Sequence, residues 1–248
     1  MKKLRRVTES EVIAEFLKNE FYQEEFHRDR EHYEHLVLEA DISSDEENLL
    51  RRALLFRRRG HMWRELPSDT QWWEIQLDPE DLDRMRVFPR AHWRKIASGS
   101  FRLGDIVANI RTRNFGGKVG DFISKVHSLS YRMRFDHDMS SVILIGVCEE
   151  EPTTIIEGNH RLTAAMLGTP GTLHTRFRFF YGVSPRMNEV CWHHHSMSNI
   201  MRYIQNRLKH LWDDPDADLA RITLPETQTI SAHYAKVAAG RKVISGSK

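Results

Sequence analysis

The stretch from Thr154 to Ala165, Thr-Ile-Ile-Glu-Gly-Asn-His-Arg-Leu-Thr-Ala-Ala, restricts the fold of this chain more than any other. Ile155 and Ile156 are β-branched and favour a strand. Gly158 supplies the backbone freedom of a sharp turn, and Asn159 suits the N-cap of a helix running through Leu162 to Leu167. Gly168 and Pro170 then end that helix. Strand, tight turn and helix start follow one another with no intervening loop.

A helix that begins this way turns unpaired backbone N–H groups and the positive end of its dipole toward whatever sits over the turn, which makes an anion site. Four polar side chains crowd the same turn. Arg161 carries a planar fork suited to bidentate phosphate contact, His160 can donate or carry a proton near neutral pH, and Glu157 can serve as a general base or as a Mg²⁺ ligand. The candidate catalytic residues are therefore Glu157, His160 and Arg161, and the candidate phosphate ligands are Gly158, Asn159, His160 and Arg161. Phosphoryl or phosphodiester chemistry fits these roles. The competing reading is an ordinary strand-to-helix connection with solvated polar residues.

Upstream, Ser141 to Val147 reads as a strand, and the polar turn Glu149-Glu150-Glu151-Pro152 would fold it back as a hairpin onto Thr154 to Glu157. Together these segments resemble the phosphate-binding motif of the ParB and sulfiredoxin-like superfamily, in which a hairpin strand leads through an acidic residue and Gly into a His-Arg or Arg-Arg pair at a helix start. Trp72 to Leu77 and Pro79 to Met85 are similar to that family's opening strand and helix, with a long insertion between Val87 and Met139. The resemblance implies an α+β fold, a mixed sheet with helices, here with helical additions at both ends. It also implies binding of a nucleoside triphosphate, ATP or CTP, with Mg²⁺. Family members act as nucleotide-hydrolysing DNA clamps, nucleases, free-serine kinases or ATP-dependent sulfinic acid reductases. The reductases place a Cys between the Gly and His of the turn, where this chain has Asn159, so sulfinic acid reduction is not expected. The kinase-like branch is closer, and by that analogy Glu157 lies near the transferred phosphate. A nuclease and a non-enzymatic DNA-binding regulator are the alternatives.

Three segments follow from this reading. Residues 1–60 form a helical N-terminal extension, 61–190 the α+β core, and 191–248 a C-terminal helical segment and tail. Thr8-Glu9-Ser10-Glu11 opens a helix carrying Val12, Phe16 and Leu17. A second helix spans about Phe26 to Leu38, and Ser43-Ser44-Asp45-Glu46-Glu47 opens a third that Gly60 stops. Trp63, Trp72, Trp73 and Trp93 fill a core more readily than they stack a base. Arg113 to Lys118 reads as a glycine-rich loop without P-loop spacing.

Past the central motif, Leu173 to Phe179 alternates as a half-buried strand with His174, Arg176 and Arg178 on one face. Beside Asn159, Arg176 and Arg178 would extend the anion pocket; in solvent they are a polar sheet surface. Cys191, His193 and His195 are zinc-type donors, although residues so close in sequence rarely converge on one tetrahedral ion, and a His-rich turn lining a pocket is the other reading. From Met197 to Leu211 an apolar stripe with Ile200, Met201, Ile204 and Leu208 calls for burial in the core or against a partner, a homodimer included. A short helical pattern recurs near Ser231 to Ala239.

Charge and cysteine content narrow the partners. Lys and Arg number 37 against 35 Asp and Glu, so the chain does not coat nucleic acid wholesale, although Arg islands such as Arg57-Arg58-Arg59 leave a polyanion open as a ligand. No apolar run reaches the ~18 residues of a membrane helix, and two cysteines are too few for a disulfide framework. The expected partners are a nucleotide or phosphorylated small molecule, with no membrane, and the expected setting is the cytoplasm.

Overall fold

The computed structural model describes residues 1–133, 135, 140–168, 173 and 177–212. Among these, five strands form one mixed sheet: β1 (Lys2–Val7), β2 (Gln71–Gln76), β3 (Ser140–Gly146), β4 (Thr154–Glu157) and β5 (Phe177–Val183), in the order β1-β2-β5-β3-β4. β3 and β5 are parallel; every other neighbouring pair is antiparallel. The helices are α1 (Glu9–Glu20), α2 (Arg30–Leu38), α3 (Asp45–Trp63), α4 (Pro79–Arg84), α5 (Ala91–Ala97), α6 (Leu103–Thr112), α7 (Gly117–Arg132), α8 (Asn159–Gly168) and α9 (Met197–Trp212). The class is α+β, and no helix among the described residues is long and apolar enough to cross a membrane.

Alternation along the central strands sorts the helices into two layers. Ile143, Ile145 and Phe180 pack with Phe16, Leu17, Leu54 and Leu55 of α1 and α3, whereas Val142, Leu144, Phe179 and Tyr181 pack with Trp93, Ile106, Ile123 and Leu162 on the other face. Residues 1–60 thus pack over one face of the sheet, together with Phe88, Met187, Val190 and Trp192, and also contribute its edge strand β1. That strand is not evident in Lys2-Lys3-Leu4-Arg5-Arg6, whose stability comes from pairing with β2 rather than from its own pattern.

Local signals set several boundaries. Thr8 Oγ1 accepts from Glu11 N at 3.2 Å and Ser44 Oγ from Glu47 N at 3.2 Å, capping α1 and α3. Such a cap contributes ~1 kcal/mol, whereas burying Val12, Ile13, Phe16 and Leu17 contributes about 1.5–3 kcal/mol each, so packing is what fixes α1 over the sheet. Gly60 does not stop α3. His61, Met62 and Trp63 continue it into the core, where Trp63 stacks on Trp72 at 5.9 Å, and this burial outweighs the ~1 kcal/mol cost of a helical glycine. The second helical run begins as a 3-10 turn over Glu24–Asp29 before α2.

Two further expectations change. β5 starts at Phe177, and Leu173 lies buried in a helical turn, so the alternation from Leu173 is not one strand; His174 and Arg176 lie outside the described residues, as does the segment near 231–239. The apolar stripe of α9 is not core. Met197, Met201, Ile204 and Leu208 are exposed, because the helix is held by its other face: Tyr203 meets Trp192 edge-on at 4.4 Å, Asn199 Nδ2 donates to Asn188 O and His194 O, and Asn206 donates to Glu65.

The strand–turn–helix is present as β4, Gly158 and α8. Gly158 has φ 95°, and a Cβ built there would lie 2.9 Å from Val142 Cγ2 and 3.3 Å from Val142 Cα. The turn therefore closes against the neighbouring strand only with glycine. Gly158→Ala should lower the unfolding free energy by about 2 kcal/mol, from left-handed strain plus the clash with β3. Urea titration reads this directly, and an unchanged midpoint would contradict it.

Candidate functional site

The turn opens into a cleft of about 950 Å³ between α1 and α7. β4 ends here, and the parallel strands β3 and β5 begin here, with Ser140 and Arg178 in the lining. Glu157, Gly158, Asn159, His160, Arg161 and Arg178 all line it, so of the sequence-derived phosphate and catalytic residues only Arg176 falls outside the described chain. The N–H groups of Asn159, His160 and Arg161 precede the first intrahelical bond of α8, Leu162 N to Gly158 O at 2.8 Å.

The individual roles differ from the sequence expectation. Asn159 does not act as an N-cap: its buried amide accepts from Phe88 N at 2.8 Å and donates to Ile155 O at 3.2 Å, which fastens the turn to the segment entering α5. Arg161 does not hold an open fork. Its guanidinium donates to Glu157 Oε1 at 2.5 Å, Asn19 Oδ1 at 2.7 Å and Ser141 O at 3.1 Å. Asn19 in turn donates to Ser141 O and Oγ, at 3.0 and 2.9 Å. Arg178 lies over Phe180 and pairs with Glu15 at 3.1 Å and Glu74 at 3.0 Å.

Glu157 is the electrostatically perturbed group. Only 14% of its side chain is exposed, and desolvation, followed by the repulsion of Glu20, raises its pKa to about 7 against the opposing pull of Arg161. Its protonation therefore shifts from the acid range toward neutral pH. His160 sits at the cleft mouth near the rings of Trp93 and Phe122, at 5.4 and 5.0 Å, and desolvation in this crowded setting lowers its pKa, so near neutral pH it is an uncharged imidazole.

The remaining charges set the sign of the cleft. Glu20 is paired with Arg59 at 2.6 Å, and Glu15 and Glu157 with Arg178 and Arg161. Lys18, Lys125 and Arg132 line the same cleft and form no ion pair among the described residues. Sequence reading missed Lys18, Asn19, Glu20 and Lys125, and found Arg132 only as part of an Arg island. Their signal was the polar face of two amphipathic helices, which shows a face and not its direction.

The second cluster does not assemble. Among the described residues no group of three or more His, Cys, Asp and Glu side chains is placed to hold a metal ion. Burial, with Glu65 nearby, raises the pKa of the Cys191 thiol, whereas zinc takes the thiolate, and His193 Nδ1 lies 3.2 Å from Thr154 Oγ1. At the cleft, the lining carboxylates Glu157, Glu20 and Glu15 are each engaged by an arginine.

The buried carboxyl has a pH signature. Between pH 4.5, its ordinary value, and about 7, the folded chain keeps a proton on Glu157 that the unfolded chain has released. The resulting stabilisation is complete below 4.5 and lost as pH rises through 7, a change on the order of 3 kcal/mol at ~1.4 kcal/mol per pKa unit. Relative to the wild type, Glu157→Gln should gain about that much stability from acid to mildly basic pH, and a pH-independent difference in denaturant titrations would refute the assignment. In comparisons with known proteins, the chain matches no family model, no curated protein and no solved structure.

Proposed function

We propose that the cleft binds a nucleoside triphosphate, ATP or CTP, with Mg²⁺ and catalyses phosphoryl transfer or nucleotide hydrolysis, on a fold of ParB and sulfiredoxin-like type in the cytoplasm. One observation carries this. Three cations without carboxylate partners among the described residues, Lys18, Lys125 and Arg132, share the cleft with the amino end of α8 and with a carboxyl whose pKa is raised to about 7. Polyphosphate is the ligand that such a set recognises, because its charge answers both the ammonium groups and the unpaired N–H groups of the helix.

Glu157 takes the proton from the attacking hydroxyl or water as the bond to phosphorus forms, and its intermediate pKa lets it both accept and release that proton. Arg161 keeps the carboxylate aimed through its 2.5 Å bond and so acts as a positioning residue. His160, uncharged and at the mouth, offers a hydrogen bond to the incoming group. Mg²⁺, held by Glu157 or Glu20 and the phosphates, would neutralise phosphate charge. Preorganised charge of this kind is the main catalytic resource in phosphoryl transfer.

A polynucleotide in place of a free nucleotide is the second reading. It is favoured by the exposure of Lys125 and Arg132 on α7, at the open rim where a longer polyanion could pass. Equilibrium binding of ATP, CTP and a short DNA, each with Mg²⁺, separates the two. Lys125→Ala with Arg132→Ala should weaken nucleotide binding about 10-fold or more. Glu157→Gln should retain binding and lose turnover by ~10²–10⁴-fold. Turnover unchanged in Glu157→Gln, or no affinity for any of the three ligands, would overturn the proposal.

A further inference from the structure

At the opposite end of β4 from the cleft lies a second concavity, of about 290 Å³, with Arg86, Arg102, His193 and His195 in its lining and no carboxylate among its lining residues. Its backbone frame is fixed. Arg86 N donates to Thr153 O and Arg86 O accepts from Ile155 N, both at 2.9 Å, while on its other side Arg86 pairs with Arg102 in an antiparallel bridge. Residues opposite each other in such a bridge project to the same side, and like charges there destabilise the pairing. Neither Arg86 nor Arg102 forms an ion pair among the described residues, so nothing within the described chain offsets that repulsion.

Neutral donors complete the lining. His193 is buried, and its Nδ1 is taken up by Thr154 Oγ1 at 3.2 Å, which leaves Nε2 as its other hydrogen-bonding atom. Burial, then Arg86 and His194, push its pKa down to about 4, so it adds no charge, and in the tautomer in which Thr154 Oγ1 donates to Nδ1 the Nε2 carries the ring N–H. Trp192, also in the lining and 5% exposed, has a buried indole N–H with no hydrogen-bond partner among the described residues. Such a donor is ordinarily satisfied. Asp105 accepts from Ser100 Oγ at 2.5 Å and so takes that hydroxyl out of the donor set.

We propose that this pocket is a binding site for a compact, doubly charged oxyanion of the phosphate class, clamped between the guanidinium groups of Arg86 and Arg102 with His193 as a neutral donor. The two arginines match a tetrahedral dianion in charge and in bidentate geometry, and the small volume excludes a nucleotide. The site is separate from the cleft and does not depend on the chemistry assigned there.

The test is calorimetric titration of the full chain, carrying Lys125→Ala and Arg132→Ala to silence the cleft, with inorganic phosphate and with glucose 6-phosphate as a small phosphate monoester. Sodium chloride at matched ionic strength is the control. The expected result is saturable binding that Arg86→Gln and Arg102→Ala each weaken by at least about 10-fold, the loss of one charge-assisted contact. Tighter binding of the ester identifies an esterified ligand, and tighter binding of the free ion identifies phosphate itself; either supports the site. Thermal unfolding at low salt gives a second measure. Arg102→Ala should unfold no lower than its parent without phosphate, since it removes repulsion, and should lose the phosphate-dependent rise in midpoint. No saturable binding, binding indifferent to both arginines, or a midpoint rise reproduced by chloride would overturn the proposal.

Discussion

The guanidinium of Arg161 joins the first turn of α8 to Glu157 at the end of β4, to Asn19 on α1 and to the backbone of Ser141 at the start of β3. These elements come from distant parts of the chain, and each forms part of the cleft. A carboxyl as deeply desolvated as Glu157 could not remain partly ionised at neutral pH without such a cation, because burial and Glu20 both oppose its charge. The bond that orients Glu157 is thus also a joint between the helical layer over one face of the sheet and the turn beneath it. Arg161 has a structural task, and Lys18, Lys125 and Arg132 are the cleft's cations without an ion pair among the described residues.

The two ends of β4 solve opposite electrostatic problems. At its carboxyl end, acids and bases alternate, most of them neutralised in pairs, so a small surplus of cations sits over a tuned carboxyl. At its amino end, two arginines are paired across a bridge in a pocket whose lining holds no carboxylate. The strand is four residues long, and the same segment, Arg86 to Phe88, touches both ends: Arg86 bridges Thr154, and Phe88 N is held by Asn159.

Sequence reading succeeded where the signal is local. β4, the Gly158 turn, α8, the β3 hairpin strand and the caps at Thr8 and Ser44 follow from residue chemistry within a few positions, and the cleft lies over that turn. It failed where a distant partner decides. β1 exists because β2 lies beside it, and α3 runs past Gly60 because Trp63 finds Trp72. Asn159 looks like a cap, but its acceptor is claimed by Phe88, far away in sequence. On α9 the periodicity identified an apolar face correctly and gave no information about which face the fold would cover.

Both margins of the sheet are guarded. The outer margin of β1 carries Lys2, Lys3, Arg5 and Arg6, and its register slips between Lys3 and Arg5. A strand arriving from another molecule would have to lie along a row of cations and follow an irregular backbone, two conditions that discourage pairing. At the other margin, Thr154 and Ile155 of β4 are already occupied by Arg86. The sheet is therefore poorly suited to growing by addition of strands from neighbouring copies, the backbone ladder by which fibrils are seeded.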